Sequence, residues 1–378
     1  MEKDQFGPEY IIKVHDARLE MEGFLVIDNT ALGPGKGGIR MTPDITEEEV
    51  WRLARTMTWK NALAGVPFGG AKAGIRWPGG SEKLKKEFIQ SFARAVKPFI
   101  PHRYIAGPDV NTGAKEMQWF VEATGVWSSA TGKPEHLCLE VLPGWVKCGI
   151  PHEVGSTGFG VVQATKVAAE IAGIDIKKAA VSIHGFGNVG TSAYQFLTEM
   201  GAKVVAIADK SGAIFSKNGF DKKTVQKLIQ QRKEISQYPG RAEKIKPADF
   251  WKIPVDILIP ASVTNVINEQ NKSQIKAKII VEAANIPMKD SIEEEMFRKG
   301  ILVVPDIVAN SGGVISSYSE YRGYHLKKMF ELVERKIKDN SRMILEESLK
   351  RNRSPNQIAL EIAKKMVENK MKKRKTIF

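Results

Sequence analysis

The sequence predicts an α/β protein built from two domains. Its 378 residues exceed the roughly 250–300 residues beyond which a single hydrophobic core seldom grows. Segments typical of strands and helices alternate through the second half, a pattern that predicts a parallel sheet covered by helices. The first half mixes helices with short strands. We therefore expect a mostly parallel or mixed sheet in the first half and a doubly wound sheet in the second.

The first half contains two clear strand signals and two clear helix signals. Residues 23–29 and 71–77 are short apolar runs bounded by polar residues or glycine, which predicts strands. Residues 46–63 and 81–99 carry apolar side chains at helical spacing, and each segment begins at Thr or Ser with acidic residues nearby. Residues 131–155 are rich in proline and glycine, so we expect an irregular crossing between the domains there.

The second half provides the alternation on which the parallel sheet depends. Helices are expected at 159–172 and 191–199, and two charged helices at 325–350 and 355–374. The expected strands are residues 179–184, 203–208, 255–259, 278–282 and 301–305.

Composition excludes several classes of protein. The N-terminal ten residues lack an apolar core, so no secretory signal is expected, and no apolar run reaches the roughly 18 residues that span a bilayer. The only cysteines are Cys138 and Cys148, which excludes a disulfide framework or a four-cysteine zinc site and indicates a reducing cytoplasm. No metal-binding motif occurs. The net charge of +14 and the basic run 370–375 allow polyanion binding, but a lysine-rich solvated exterior is the simpler interpretation.

One glycine motif carries a specific chemical meaning. Gly185, Gly187 and Gly190 follow an apolar strand and begin a helix, the arrangement that lets a backbone approach a pyrophosphate in Rossmann-like dinucleotide domains. The helix N-terminus supplies free N–H groups for the phosphates. Asp209 follows the next strand, where an acid would bind the adenosine ribose and favour NAD, while Lys210 could offset its repulsion of NADP. The alternative is an aspartate that only stabilises a turn.

Three lysines in the first half occupy unusual surroundings. Lys36 and Lys72 have glycine or alanine on both sides, so another group could approach their backbone closely. Lys60 lies on the apolar stripe of its helix, where a lysine is rare unless it is paired. Gathered around one cleft, two lysines could neutralise a dicarboxylate while the third acts as a neutral base, with Asp109 transferring protons. Each lysine alone could equally be a snorkelling surface side chain.

These residues lie in five motifs that together resemble the glutamate/leucine/phenylalanine/valine dehydrogenase family, from about residue 23 to 321. The motifs are G-P-G-K-G-G-I-R, G-V-P-F-G-G-A-K-A-G-I, G-P-D-V-N-T, G-F-G-N-V-G and N-S-G-G-V. The resemblance implies an NAD(P)-dependent amino-acid dehydrogenase that oxidatively deaminates L-glutamate to 2-oxoglutarate and ammonia, and catalyses the reverse reaction. It implies a homo-oligomer, a hexamer in this family.

The resemblance also implies roles for single residues. Lys72 and Asp109 match catalytic residues, Lys60 matches the ligand of the α-carboxylate, and Lys36 matches the lysine that holds the side-chain carboxylate in glutamate-specific members. Ser317 and Asn310 match further substrate contacts. The implied cofactor contacts are Thr157, Gly185, Phe186, Gly187, Asn188, Val189, Gly190, Asp209, Lys210 and Asn285.

The expected domain limits follow from the same comparison. Residues 1–152 with 321–378 form the substrate and oligomerisation domain, and residues 153–320 form the dinucleotide domain. Two alternatives to a glutamate enzyme remain: a leucine- or valine-type dehydrogenase on the same fold, and, more distantly, a polyanion-binding protein without catalysis. The chain is shorter at its N-terminus than typical glutamate-specific members and lacks an arginine between Pro134 and Gly160, so the resemblance leaves assembly and fine substrate preference open.

Overall fold

The computed structural model describes residues 3–375, which divide into two compact units. The first unit contains the chain as far as Val154, then Gly313–Leu332, then the segment from Glu361. The second contains Gly155–Gly312 and Val333–Leu360. These limits differ from the expected boundaries mainly at 333–360, a helical segment that packs with the second unit rather than with the first.

The first unit is organised around a five-stranded mixed sheet. Its strands are β1 (Tyr10–Asp16), β2 (Met21–Asn29), β3 (Gly35–Thr42), β4 (Gly69–Arg76) and β5 (Tyr104–Pro108). Their order is β1-β2-β4-β3-β5; β2 runs antiparallel to β1 and β4, whereas β3 runs parallel to β4 and β5. The expected strands at 23–29 and 71–77 correspond to β2 and β4, and the expected mixed sheet is confirmed.

Helices cover both faces of this sheet. They are α1 (Glu47–Leu63), α2 (Glu82–Val96) and α3 (Ala114–Thr124). Thr46 and Ser81 cap α1 and α2, since each hydroxyl accepts an N–H from the first turn of its helix. One face of the sheet packs on Phe92 of α2 and Phe120 of α3, and the other packs beneath α1 at Val50. The core therefore lies mainly between the sheet and α2–α3.

The segment 131–155 ends at the boundary between the two units, as expected of a crossing, but it is not irregular throughout. It contains an exposed hairpin of β6 (Cys138–Leu142) and β7 (Trp145–Cys148), in which a disulfide joins Cys138 to Cys148. The cysteine count excluded a disulfide framework and did not anticipate this single local bond. The hairpin was missed because its strands are short and solvent-facing, so no buried apolar alternation marks them.

The second unit contains a seven-stranded sheet. Its strands are β8 (Ala180–His184), β9 (Lys203–Asp209), β10 (Gly212–Phe215), β11 (Glu243–Ile245), β12 (Ile257–Pro260), β13 (Ile279–Val281) and β14 (Leu302–Val304). The order is β11-β10-β9-β8-β12-β13-β14, and the five strands from β9 to β14 in this order are parallel, as the alternation predicted. The chain leaves β8 to one side for β9 and later returns to its other side at β12. Ligands in such sheets bind where the strand order reverses, beyond the carboxyl ends of the strands.

Helices accompany this sheet and lead to the C-terminal region. They are α4 (Ser156–Ile171), α5 (Asn188–Glu199), α6 (Lys222–Gln230), α7 (Asp290–Arg298), α8 (Asp306–Ala309), α9 (Gly312–Arg322), α10 (Leu326–Arg351) and α11 (Pro355–Lys375). The helices expected at 325–350 and 355–374 correspond to α10 and α11. Within residues 3–375, no helix combines the length and the apolar character needed to cross a membrane.

Candidate active site

Strand register places three predicted site residues on one face of the first sheet. Lys36 in β3 is aligned with Gly70 in β4 and with Ile105 in β5. Side chains alternate between the two faces along a strand, so Lys36, Lys72 and Asp109 project to the same side. The opposite side carries the apolar residues that pack on α2 and α3. The sheet therefore separates a charged face from a hydrophobic core.

Glycines let other groups of the protein pack closely against the charged face. A Cβ on Gly107 would overlap Nζ of Lys36, and a Cβ on Gly38 would lie 2.8 Å from Cβ of Asp109. A Cβ on Gly70 would overlap Thr58 of α1. We predicted that the glycines let another group approach the backbone of Lys36 and Lys72. In the structure, the approaching groups are the protein's own side chains and neighbouring strands.

Asp109 is held by two cations. Its Oδ2 forms a very short ion pair with Nζ of Lys72, and its Oδ1 accepts a hydrogen bond from Nε of Arg40 at 3.0 Å. Arg40 also binds Glu49 at 2.6 Å. Burial alone would raise the pKa of Asp109, but the charges of Lys72 and Arg40 outweigh it and hold that pKa well below its usual range. Asp109 is therefore a carboxylate in direct contact with the predicted catalytic lysine.

Lys36 is a buried lysine with a lowered pKa. Its side chain is 3% exposed, and Nζ donates to the carbonyl of Ala106 at 2.9 Å. Burial lowers the pKa of Lys36 to about 7, with Lys72 and Lys133 acting in the same direction and Glu320 opposing them. An anion bound beside Nζ would supply the missing charge.

A second buried ion pair supports this region. Lys133 and Glu320 are fully buried, and their charged atoms lie 2.6 Å apart. The other carboxylate oxygen of Glu320 accepts the N–H groups of Gly132 and Ile150 at 2.7 and 2.9 Å. Buried charges persist when each is paired and hydrogen-bonded. Sequence reasoning missed this pair because 187 positions separate its members. Arg40 was also missed, although side chains alternate along β3 and this places Arg40 on the same face as Lys36.

Lys60 and Ser317 are buried in helices of the same unit. Lys60 in α1 is 6% exposed, which confirms that it points inward, and the neighbouring Asn61 donates to the carbonyl of Gly69 at 2.6 Å. Ser317 in α9 is 5% exposed and lies one turn before Glu320. Residues three apart share a helix face, so Ser317 lies on the side of α9 that carries the Glu320 ion pair.

The predicted glycine motif forms a backbone cradle in the second unit. Gly185 follows β8 with φ +104°, a conformation that favours glycine. A Cβ on Gly190 would overlap the carbonyl of Gly185, whereas a Cβ on Gly187 would meet no described atom within 4 Å. Gly187 precedes α5 and has no side chain to cap the first N–H groups of this helix. The open side and the free N–H groups fit the pyrophosphate of a dinucleotide. Phe186, also in the motif, packs edge-on against Tyr194.

Asp209 ends β9, as predicted, and its carboxylate also stabilises the following turn. Oδ1 accepts hydrogen bonds from the N–H and Oγ of Ser211 at 2.8 and 2.5 Å, and Oδ2 accepts the N–H of Ile235 at 2.8 Å. Lys210 is largely exposed and pairs with Glu234 at 3.4 Å. Asp209 therefore does stabilise a turn, as the alternative interpretation held. Its binding of the adenosine ribose stays a prediction.

Asn285 and Asn310 meet near the end of the parallel strands. Nδ2 of Asn310 lies 3.1 Å from Oδ1 of Asn285 and 3.2 Å from the carbonyls of Ala283 and Ala284. Thr157 lies in the first turn of α4, beside Gly312. Asn310, predicted as a substrate contact, thus belongs to the unit that carries the predicted cofactor residues, while Lys36, Lys60, Lys72, Asp109 and Ser317 belong to the first unit.

The two sites together are typical of a dinucleotide-dependent enzyme that acts on an anionic substrate. The glycine cradle after β8 is typical of dinucleotide-binding domains, and the lysine–aspartate face is suited to an anionic substrate and proton transfer. Within the described part of the chain, no group of three or more His, Cys, Asp or Glu residues could hold a metal ion.

Comparison with known proteins identifies the family. Residues 148–375 match the Glutamate/Leucine/Phenylalanine/Valine dehydrogenase family, and residues 8–125 match the Glu/Leu/Phe/Val dehydrogenase dimerisation domain. The chain therefore belongs to the Glu/Leu/Phe/Val dehydrogenase family.

Named relatives and a solved structure agree with this membership. The glutamate dehydrogenase of Thermotoga maritima is 39% identical over 330 residues, covering 83% of this chain and 75% of that protein. The NADP-specific glutamate dehydrogenase of Saccharolobus shibatae is 38% identical, with coverage of 83% and 75%. The crystal structure of glutamate dehydrogenase from Peptoniphilus asaccharolyticus aligns with a TM-score of 0.79 at 28% identity, covering 97% of this chain and 92% of that one.

Proposed function

We propose that this protein catalyses the NAD(P)-dependent oxidative deamination of L-glutamate to 2-oxoglutarate and ammonia, and the reverse reductive amination. One observation supports glutamate most strongly. The buried, almost fully enclosed Lys36 shares a sheet face with Lys72 and Asp109. A lysine facing an apolar substrate would be an uncompensated buried charge, which costs several kcal/mol, whereas a second carboxylate pairs with it.

The proposed substrate contacts divide the charges of glutamate between the lysines. Lys36 and Ser317 hold the side-chain carboxylate, and Lys60 holds the α-carboxylate. Asn310 completes the substrate contacts. With both carboxylates fixed, the Cα–H bond of the substrate is held in one orientation relative to the cofactor. Such positioning of the reacting groups supplies much of the rate enhancement in enzymes.

The proposed cofactor contacts follow the backbone cradle. Gly185–Gly190 receive the pyrophosphate at the N-terminus of α5, with Phe186, Asn188 and Val189 in the same loop. Asp209 and Lys210 lie at the adenosine end, and Thr157 and Asn285 at the nicotinamide end. NAD(P), when bound, accepts the α-hydrogen of glutamate as a hydride.

Lys72 and Asp109 move protons in the proposed mechanism. Lys72, in its neutral form, takes a proton from a water molecule as the water oxygen adds to the iminium carbon of the oxidised substrate. The lysine then passes the proton to Asp109, with which it is in direct contact. Asp109 delivers it to the amine nitrogen. Lys72, neutral again, takes the remaining hydroxyl proton as the C–N bond breaks, so that the carbonyl of 2-oxoglutarate forms and ammonia leaves.

A panel of amino acids assayed with NAD and with NADP tests this proposal. We expect L-glutamate to give the highest kcat/KM with at least one of the two cofactors. A preference for leucine or valine would favour the branched-chain alternative. Salt-sensitive RNA binding without any amino-acid oxidation would favour the polyanion alternative, which the burial of Lys36, Lys60 and Lys72 already makes less suitable.

We also propose that the protein is a cytoplasmic homo-oligomer, specifically a hexamer. The hetero-hexameric glutamate dehydrogenase of Thermus thermophilus, 23% identical with a TM-score of 0.84, shares the fold. Light scattering after size-exclusion chromatography tests the assembly. Cell fractionation tests the location. The Cys138–Cys148 disulfide makes this test necessary, because structural disulfides are uncommon in reducing compartments such as the cytoplasm.

A further inference from the structure

A partly buried imidazole in the first unit has a shielded nitrogen without a hydrogen-bond partner in the described part of the chain. Nε2 of His152 is shielded from solvent and has no hydrogen-bond partner among the described residues. Leaving such an atom unpaired costs roughly 1–3 kcal/mol. Buried polar atoms are nearly always paired, so each exception calls for an explanation. A ligand that supplies the missing partner is one such explanation.

The position of His152 brings it to the end of β5. His152 begins a short 3₁₀ turn, His152–Val154, in the first unit. Its Cδ2 lies 3.5 Å from the point that a Cβ on Gly132 would occupy, and ring carbons of Pro108 lie 2.6 Å from the same point. Pro108 is the last residue of β5 and directly precedes Asp109. The charges of Lys36 and Asp109 also act on the ring, so the imidazole lies near the charged face that carries Lys36.

Burial, more than the neighbouring charges, keeps His152 neutral. Burial lowers its pKa to about 4, and the positive charge of Lys36 acts in the same direction, whereas Glu153 and Asp109 oppose. A neutral imidazole carries one N–H, so it can donate a hydrogen bond without adding a second buried charge. The ammonium of Lys36 has donors only. A single anionic acceptor could take a hydrogen bond from both groups.

We propose that His152 is a specificity-determining residue that donates its Nε2–H to the distal carboxylate of a dicarboxylate substrate, alongside Lys36. This inference rests on the proposed function. A carboxylate has two oxygens and can accept from both groups at once. Lys36 supplies the charge, and His152 supplies a directed hydrogen bond that a substrate without the distal carboxylate cannot use.

The test compares two substrates of the same length. Reductive amination of 2-oxoglutarate is measured beside that of 2-oxopentanoate, which has the same five-carbon chain and lacks the distal carboxylate. The variants are His152→Leu, which removes the donor, and His152→Gln, which restores an N–H donor. His136→Gln is the matched control, because His136 is an exposed histidine of the same segment.

We expect His152→Leu to lower kcat/KM for 2-oxoglutarate about 10- to 100-fold, the loss typical of a hydrogen bond to a charged group, chiefly through KM. The value for 2-oxopentanoate should change less than about twofold, and His152→Gln should recover part of the loss. An equal fall for both substrates, or no fall for either, overturns the role of His152. If His152→Leu does not fold, His152→Phe, which also lacks an N–H donor, takes its place, and the same two outcomes overturn the proposal. Wild-type protein that does not act on 2-oxoglutarate refutes the proposed function itself, and the inference with it.

Discussion

The charged face of the first sheet and the glycine loop of the second unit offer a ligand opposite kinds of surface. On the charged face, ionised side chains lie over a glycine floor, and Asp109 is bound by Lys72 and Arg40. In the loop from Gly185 to Gly190, the absence of side chains leaves backbone N–H groups accessible. Substitutions on the charged face should therefore change chemistry, whereas substitutions in the loop should change the geometry of a binding surface.

The largest effect is expected for Lys72→Ala. Removing the predicted acid–base group should lower kcat by about 10²–10⁴-fold while the dissociation constant of NAD(P) changes less than about twofold. Steady-state kinetics and calorimetric cofactor binding measure the two quantities. Lys13→Ala is the control, because Lys13 belongs to the same sheet and its side chain is 73% exposed. Turnover close to the wild-type rate would remove Lys72 from the chemistry.

The glycine loop offers a matched pair of substitutions. Gly190→Ala should destabilise the fold by more than about 2 kcal/mol, because its Cβ would overlap the carbonyl of Gly185. Gly187→Ala should fold normally, since its φ of −83° suits any residue and its Cβ faces open space. It should nevertheless weaken NAD(P) binding about tenfold by blocking the approach of the pyrophosphate. Equal stability losses in chemical denaturation would contradict this distinction.

The pH dependence of dicarboxylate binding tests the charge of Lys36. Its pKa of about 7 means that Lys36 is charged below that pH and mostly neutral above it. A dicarboxylate binds the charged form, so the dissociation constant of glutarate should rise above pH 7 by up to tenfold per pH unit. Calorimetry from pH 6 to 9 measures this. Lys36→Gln should bind glutarate weakly and with little pH dependence, and a wild-type constant that stays flat over this range would exclude the mechanism.

The smallest effect on activity is expected from the Cys138–Cys148 disulfide. The bond closes a loop of sequence separation 10, and such a loop contributes about 2–3 kcal/mol to the local structure. Double substitution to serine should expose the hairpin to limited proteolysis while kcat/KM for glutamate changes less than about twofold. Dithiothreitol should reproduce the proteolysis pattern in the wild-type protein and have no effect on the double variant. A large loss of activity would mean that the hairpin supports the Glu320 ion pair through Ile150.

Sequence reasoning succeeded where a local pattern determines the structure. The parallel strands of the second unit follow from alternating apolar runs, and the burial of Lys60 follows from its place on an apolar helix stripe. The conformation around Gly185 follows from the spacing of three glycines. In each example the deciding interactions lie within a few residues of the signal.

The remaining features depend on contacts that are distant in sequence. The Lys133–Glu320 pair joins a loop to α9, and nothing near either residue indicates its partner. The charge pattern predicts helices after residue 320 but not that 333–360 packs with the second unit. Strand β11 was missed because it is largely exposed and has no apolar run, and β10 was missed because only two residues separate it from β9. His152 carries no signal in the sequence, since only its burial reveals an unpaired nitrogen.

The substrate preference of Lys36→Met tests most directly whether the charged face is a dicarboxylate site. The ratio of kcat/KM for L-glutamate to that for L-norvaline, which has the same chain length without the distal carboxylate, is measured for both proteins. We expect the ratio to fall at least about 100-fold, because glutamate loses its counter-charge while norvaline gains an apolar contact. The variant should also gain stability relative to wild type as the pH falls from about 10 to about 7, because the unfolded chain of the wild type takes up the proton that buried Lys36 resists. An unchanged ratio in a folded variant would contradict the assignment of the charged face to a dicarboxylate.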